Sequence, residues 1–131
     1  MSRERVQAIL GGYEAFNRGA QDESRWNLSD DFEFLPPPML PDVDVVKGRD
    51  EFLSFLRTWS DTFDDFRFEI EEAFDAGDDV LVMAAIRGTG RDSGIDVSTP
   101  SFAHVWGFCG DQIVRMEAMP NRATAFEKLG L

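Results

Sequence analysis

The chain has 131 residues, with 13 basic against 25 acidic side chains, a formal charge of -12 and 43% hydrophobic residues, which fits one domain over 1–131 with its own core. The acidic balance repels phosphate backbones and anionic bilayers, so neither nucleic acid nor a membrane is expected as a partner. A single cysteine, Cys109, and a single histidine, His104, exclude an internal disulfide and supply too few ligands for zinc, so no metal or cofactor is expected.

From Arg3 to Arg18, the residues Val6, Ile9, Leu10, Tyr13 and Phe16 recur at helical spacing and predict a helix with one apolar stripe, ended by Gly19. A short second helical piece through Arg25, Trp26 and Leu28 is expected to lead into a strand over Asp31–Leu35. Pro36, Pro37 and Pro38 stop that strand, and Pro36 to Lys47 reads as a stiff loop. Asp50 reads as the cap of a further helix with Phe52, Leu53, Phe55, Leu56 and Trp59 on one face.

After Asp64 the period changes to two. Phe66, Phe68 and Ile70 alternate with Arg67, Glu69 and Glu71, and the break at Glu72–Ala73 predicts a bulge. The acids of this stretch read as a solvated face and not as a calcium loop. Ala76 to Asp79 is a hairpin turn. Strands over Val80–Gly88, Ile95–Phe108 and Ile113–Met119 follow, with turns near Asp92–Gly94 and Gly110–Asp111. Asn121 caps a last helix through Ala125 and Phe126, closed by Gly130. The longest apolar run, Val80 to Ile86, is too short to span a bilayer, and MSRERVQ carries no targeting signal, so a cytoplasmic location is the expectation.

This order predicts an α+β fold: a curved antiparallel or mixed sheet wrapped around N-terminal helices, forming a cone with an apolar cavity. Val80 to Ile86 shows no polar alternation, which requires cover on both sheet faces. A homodimer packing through Leu81, Met83 and Ala85 is the expected cover.

The segment AFDAGDDVLVMAAIRGTGR (Ala73 to Arg91), then FAHVWGF, QIVRMEAM and a closing NRATAFEKLGL, resembles the SnoaL-like branch of the nuclear transport factor 2-like superfamily over nearly the whole chain. The resemblance implies a cone shared with steroid isomerases and polyketide cyclases. It leaves function open, because that superfold also hosts epoxide hydrolases, dehydratases and non-enzymes. On this placement Tyr13 falls where the isomerases keep the tyrosine donor of their oxyanion site. His104 falls where they keep a protonated aspartic acid and where the cyclases keep an acid–base aspartate. Pro36 falls where the isomerases keep the aspartate that moves the proton, which argues against steroid isomerisation. The Arg and paired Asp of the epoxide hydrolases are not recognisable.

With the resemblance setting the inner face, Val82, Ala84 and Ile86 point inward and Arg87 outward. Phe102, His104 and Trp106 share the inner face of their strand, as do Met116 and Ala118 of theirs, while Arg115 and Glu117 are expected to form a surface or interface pair. Phe16, Phe34, Phe55 and Trp59 complete the expected ligand-binding wall. His104 can serve as acid, base or donor near neutral pH, or be a core histidine satisfied by a carbonyl or by Tyr13. Tyr13 is either a functional donor or a core ring with a hydroxyl at its edge. Asp96 shares parity with His104 on an unbroken strand and is the candidate replacement base; a bulge at Pro100 would reverse the faces and leave Asp96 in solvent. The glycines of Arg87–Gly94 join two strands, so they are hairpin residues and not a phosphate cradle. Cys109 has no flanking base to activate it.

The expectation is thus a pocket for a small apolar organic ligand, with acid–base chemistry of the isomerase, cyclase or hydratase type at His104 and Tyr13. A non-catalytic binding protein and a protein-interaction domain are the alternatives.

Overall fold

The computed structural model describes residues 2–19, 26–36 and 44–130. Its elements in chain order are α1 (Ser2–Asn17), β1 (Leu28–Leu35), β2 (Val46–Lys47), α2 (Arg49–Thr62), β3 (Phe63–Ala76), β4 (Asp79–Gly90), β5 (Asp96–Ser98), β6 (Phe102–Cys109), β7 (Gln112–Met119) and α3 (Arg122–Leu129). The strands form one mixed sheet in the order β2-β1-β7-β6-β4-β3, with β5 paired to β4. Only the β1–β7 pairing is parallel. The curved sheet wraps α1 and α2 to give the α+β cone.

Several local expectations need correction. Leu28 opens β1 and Trp26 lies in a bend before it, so neither is helical; Arg25 and residues 37–43 of the expected loop fall outside the described residues. The end of that loop is a strand, since Val46 and Lys47 pair with Phe34 and Glu33. Gly48, at φ 100°, caps α2, and Asp50 belongs to its first turn, where its charge favours the positive end of the helix dipole.

The expected bulge in β3 is present one residue earlier: Ile70 pairs with Ala84 and Glu72 with Met83, leaving Glu71 extra. A second irregularity, between Asp64 and Arg67, centres on Asp65 in the left-handed region at φ 55°. The long strand expected over Ile95–Phe108 is two, because Pro100 has no N–H to give the ladder. Thr99 bridges the break. Its N–H donates to the Ile86 carbonyl at 3.1 Å, and its hydroxyl takes the place of a carbonyl by accepting from the Ile86 N–H at 2.9 Å. Asn121 caps α3 as expected, accepting from the Thr124 N–H at 2.8 Å, and Gly130 ends it at φ 72°.

Two cores flank β4. The inner face contributes Val80, Val82 and Ala84 to a core with Ile9, Tyr13, Phe68 and Trp106. The outer face packs Leu81 and Met83 with Ala103, Val105 and Met119 beneath Ala125 of α3, joined by Phe74 and Phe126. The apolar run of β4 therefore finds its second cover within the chain. Leu81, Met83 and Ala85, the residues expected at a homodimer contact, are 0%, 5% and 1% exposed within the single chain. Arg115 and Glu117 lie on this face but do not pair with each other: Arg115 bonds Asp79 at 3.1 Å, and Glu117 bonds Lys128 of α3 at 2.7 Å.

Candidate functional site

Alternation along β6 turns His104 and Trp106 to the inner face, and the helical stripe of α1 turns Tyr13 toward them. There they join. The Trp106 indole Nε1 donates to the Tyr13 hydroxyl oxygen at 3.0 Å, and that oxygen lies 2.6 Å from His104 Nδ1. An indole nitrogen can only donate, so the tyrosine oxygen is an acceptor toward Trp106 and its own proton is free for Nδ1. A neutral imidazole that accepts at Nδ1 carries its proton on Nε2. Trp106, Tyr13 and His104 thus form one hydrogen-bonded relay, in which the imidazole tautomer sets which of Tyr13 and His104 donates: with the tyrosine proton on Nδ1, the relay ends in an Nε2–H. Nothing else among the described residues bonds the imidazole, and Nε2 is not a sealed, unpartnered atom. His104 lines the cavity.

Burial fixes the protonation states. It lowers the His104 pKa from 6.5 to about 3, so the imidazole is neutral at physiological pH. Burial also raises Tyr13 above the ordinary tyrosine range, with the Trp106 hydrogen bond working against it. Neither group is a ready proton carrier near pH 7. What the pair offers is a fixed, neutral donor in an apolar surrounding.

The cavity in front of it measures about 420 Å³, within the range of small-molecule pockets. Tyr13, Trp26, Phe68, His104 and Trp106 line it together with Phe34, Phe52, Phe55, Trp59, Phe63, Phe66, Met116 and Ala118, and with the hydroxyl-bearing Thr99 and Ser101. Trp59 is 38% exposed there and stacks on Phe63 with ring centroids 6.5 Å apart. No carboxylate, lysine or arginine lines the cavity among the described residues.

Of the expected wall, Phe34, Phe55, Trp59, Ile86, Phe102, Trp106, Met116 and Ala118 line the cavity together with Tyr13 and His104. Phe16, Val82 and Ala84 do not. Phe16 belongs to the packed core, and the small Val82 and Ala84 pair across the ladder with His104 and Phe102, whose larger rings stand above them. Asp96 is also excluded. Through the break at Thr99–Ser101, Val97 faces the cavity, while Asp96 is exposed and accepts from the Thr89 hydroxyl at 3.0 Å. Arg87 points outward as expected and bonds Glu69 at 3.1 Å.

Three cavity residues escape strict pattern reading. Strand alternation alone would put Phe63 and Phe66 on opposite faces, but the irregularity at Asp65 brings both to the cavity. Trp26 lies flat against α1 at Gly12, its Nε1 donating to the Ile9 carbonyl at 3.1 Å, and its ring meets Trp106 at 4.8 Å. The missing side chain of Gly12, in the middle of a helix, was the available signal.

Residues 10–116 match the family model of the SnoaL-like domain. No protein of curated function matches the sequence. Among solved structures the chain is similar to an NTF2-like protein from Burkholderia thailandensis, with 21% identity, 97% of each chain covered and a TM-score of 0.76. It is similar to TerC, co-crystallized with polyporic acid, with 22% identity, 95% of this chain and 96% of that chain covered and a TM-score of 0.74. It is also similar to a protein of ketosteroid isomerase-like fold from Catenulispora acidiphila in complex with trimethylamine, with 15% identity, 94% and 92% covered and a TM-score of 0.71. At these identities the likenesses carry the fold alone.

Proposed function

The chain belongs to the SnoaL-like domain family, and on that premise we propose that it holds a small, neutral, largely apolar organic molecule in the cavity of the cone, with the molecule's polar end against His104. The observation that carries this reading is one polar relay, Trp106 to Tyr13 to His104, in a cavity otherwise walled by aromatic and aliphatic side chains apart from Thr99 and Ser101. An apolar wall favours ring or chain carbon by burial, and a lone fixed donor orients what enters. A charged ligand would find no counter-charge on the lining among the described residues. The neighbour co-crystallized with polyporic acid supports an organic ligand as the class.

The direct experiment titrates the protein with 1-tetralone while following tryptophan emission, since Trp26, Trp59 and Trp106 all border the cavity. Saturable quenching is expected, and Ala118→Phe, which fills the wall, removes it. Quenching that persists in that variant places the ligand elsewhere.

A catalytic role is the second reading, favoured by the donor itself. A neutral N–H directed into an apolar cavity stabilises negative charge developing on a bound carbonyl oxygen, which is the electrophilic half of isomerase and cyclase chemistry. The SnoaL-like fold includes cyclases and isomerases. His104 in this role is a donor and not the base, because burial opposes its taking up a proton. The base would have to come from the substrate or from water. For any ketone the protein turns over, His104→Ala should lower the rate at least tenfold; an unchanged rate defeats the assignment.

A further inference from the structure

Resting on the pocket reading, we infer that Tyr13 is a positioning residue that sets the hydrogen-bond polarity of the cavity: by bonding Nδ1 it holds His104 in its Nε2–H form, so the cavity selects ligands whose buried end carries a hydrogen-bond acceptor. Ketone, quinone, ester and ether oxygens belong to that class. Molecules that arrive with only an N–H to give do not.

The polarity is set from behind. If Tyr13 alone stood next to Nδ1, either partner could donate, because a hydroxyl both gives and accepts. Trp106 biases that choice. Its indole proton is committed to the Tyr13 oxygen at 3.0 Å, and the hydroxyl proton finds Nδ1 at 2.6 Å as its acceptor among the described residues. Reversing the relay would leave the tyrosine proton without an acceptor in a buried site, which is strongly disfavoured. Tyr13 is 1% exposed and closely packed by Trp26, Phe68 and Trp106, so its hydroxyl cannot swing to another partner without repacking. The imidazole cannot satisfy both ligand types at once. As an N–H it rewards an acceptor, and toward a donor it presents one proton against another.

The test has two independent arms. The ¹⁵N spectrum of the only imidazole in the chain reads the tautomer without any ligand. In the wild type at neutral pH, Nε2 is expected to be protonated and Nδ1 bare. Trp106→Phe should mix the two forms and Tyr13→Phe should release the preference. A wild-type spectrum with the proton on Nδ1 overturns the inference, whether or not either variant folds.

The second arm compares affinities for naphthalene, 1-tetralone and indole, which carry respectively no hydrogen-bonding group, an acceptor only and a donor only. The wild type should prefer 1-tetralone over indole by about tenfold or more, and Tyr13→Phe should bring the two within about threefold. A preference that survives Tyr13→Phe unchanged overturns the positioning role. Failure of all three probes to bind the wild type sinks the pocket reading and the selectivity with it, while the spectrum still judges the tautomer.

Discussion

The Tyr13 hydroxyl and His104 Nδ1 come from residues 91 positions apart in the chain, yet they meet at 2.6 Å. Closing that distance requires α1 to dock inside the curved sheet, where it packs chiefly on β3, so the contact reports on the docking of the first helix as well as on the site. Its loss should therefore be felt in stability. Tyr13→Phe keeps the ring but leaves the Trp106 N–H and His104 Nδ1 without their partner, and each orphaned buried group costs about 1–3 kcal/mol. A loss of about 2–4 kcal/mol in urea unfolding is expected; a loss under about 0.5 kcal/mol contradicts the relay.

His104 also predicts a pH dependence with a definite sign. Its folded pKa is depressed to about 3 from 6.5, so between those values the unfolded chain binds a proton that the folded chain refuses. The stability contribution is fully present above pH 6.5 and is lost as pH falls through that window, with a slope of up to about 1.4 kcal/mol per pH unit. Carboxylates titrate in the lower part of the same range, so the comparison is between the wild type and His104→Gln. The variant should lose less stability between pH 6.5 and 5. Parallel curves would contradict the burial of a neutral imidazole.

Gly11 and Gly12 are neighbours in α1 that should respond oppositely to alanine. A Cβ on Gly12 would overlap the Trp26 indole, with three ring atoms at 2.0, 2.2 and 2.4 Å, whereas a Cβ on Gly11 meets nothing within 4 Å. Gly11→Ala should gain up to about 1 kcal/mol from helix propensity. Gly12→Ala should lose about 1–3 kcal/mol through overpacking, displace the indole from the Ile9 carbonyl and weaken 1-tetralone binding. Thermal denaturation of the two variants side by side decides it, and equal stabilisation would show that Trp26 does not lie on this helix.

On the outer face, Ala125 is wholly buried beneath α3, in the core that includes Leu81 and Val105. Ala125→Asp puts an unpaired charge into that core and should undock the helix. The exposed face of β4 is then apolar and should drive self-association. Light scattering on the variant is expected to show larger species than the wild type; the same mass with unchanged stability would mean that α3 does not cover the sheet.

Much of this was legible in local pattern. The family resemblance set which face of β4 and β6 points inward, the break near Glu72 gave a bulge, and Asn121 with Gly130 bounded α3. What escaped reading depends on partners distant in sequence. The cover over Leu81 and Met83 comes from a helix more than thirty positions later, and its docking leaves no periodic trace in β4 itself. The reversal at Thr99 needs a side chain to act as a backbone acceptor, which placed Val97 in the cavity and Asp96 outside it. Trp26 required the glycine it rests on. His104 and Tyr13 stood out because they are the only residues of their types, but their mutual bond, and the direction of the proton along it, belong to the fold.

The most direct test adds 1-tetralone to ¹⁵N-labelled protein and follows the lone imidazole. The account predicts a saturable shift at His104 Nε2, at one ligand per chain, with Nδ1 remaining an acceptor throughout. Binding that leaves the imidazole unmoved, or no saturable binding at all, would contradict a ligand cavity built on His104.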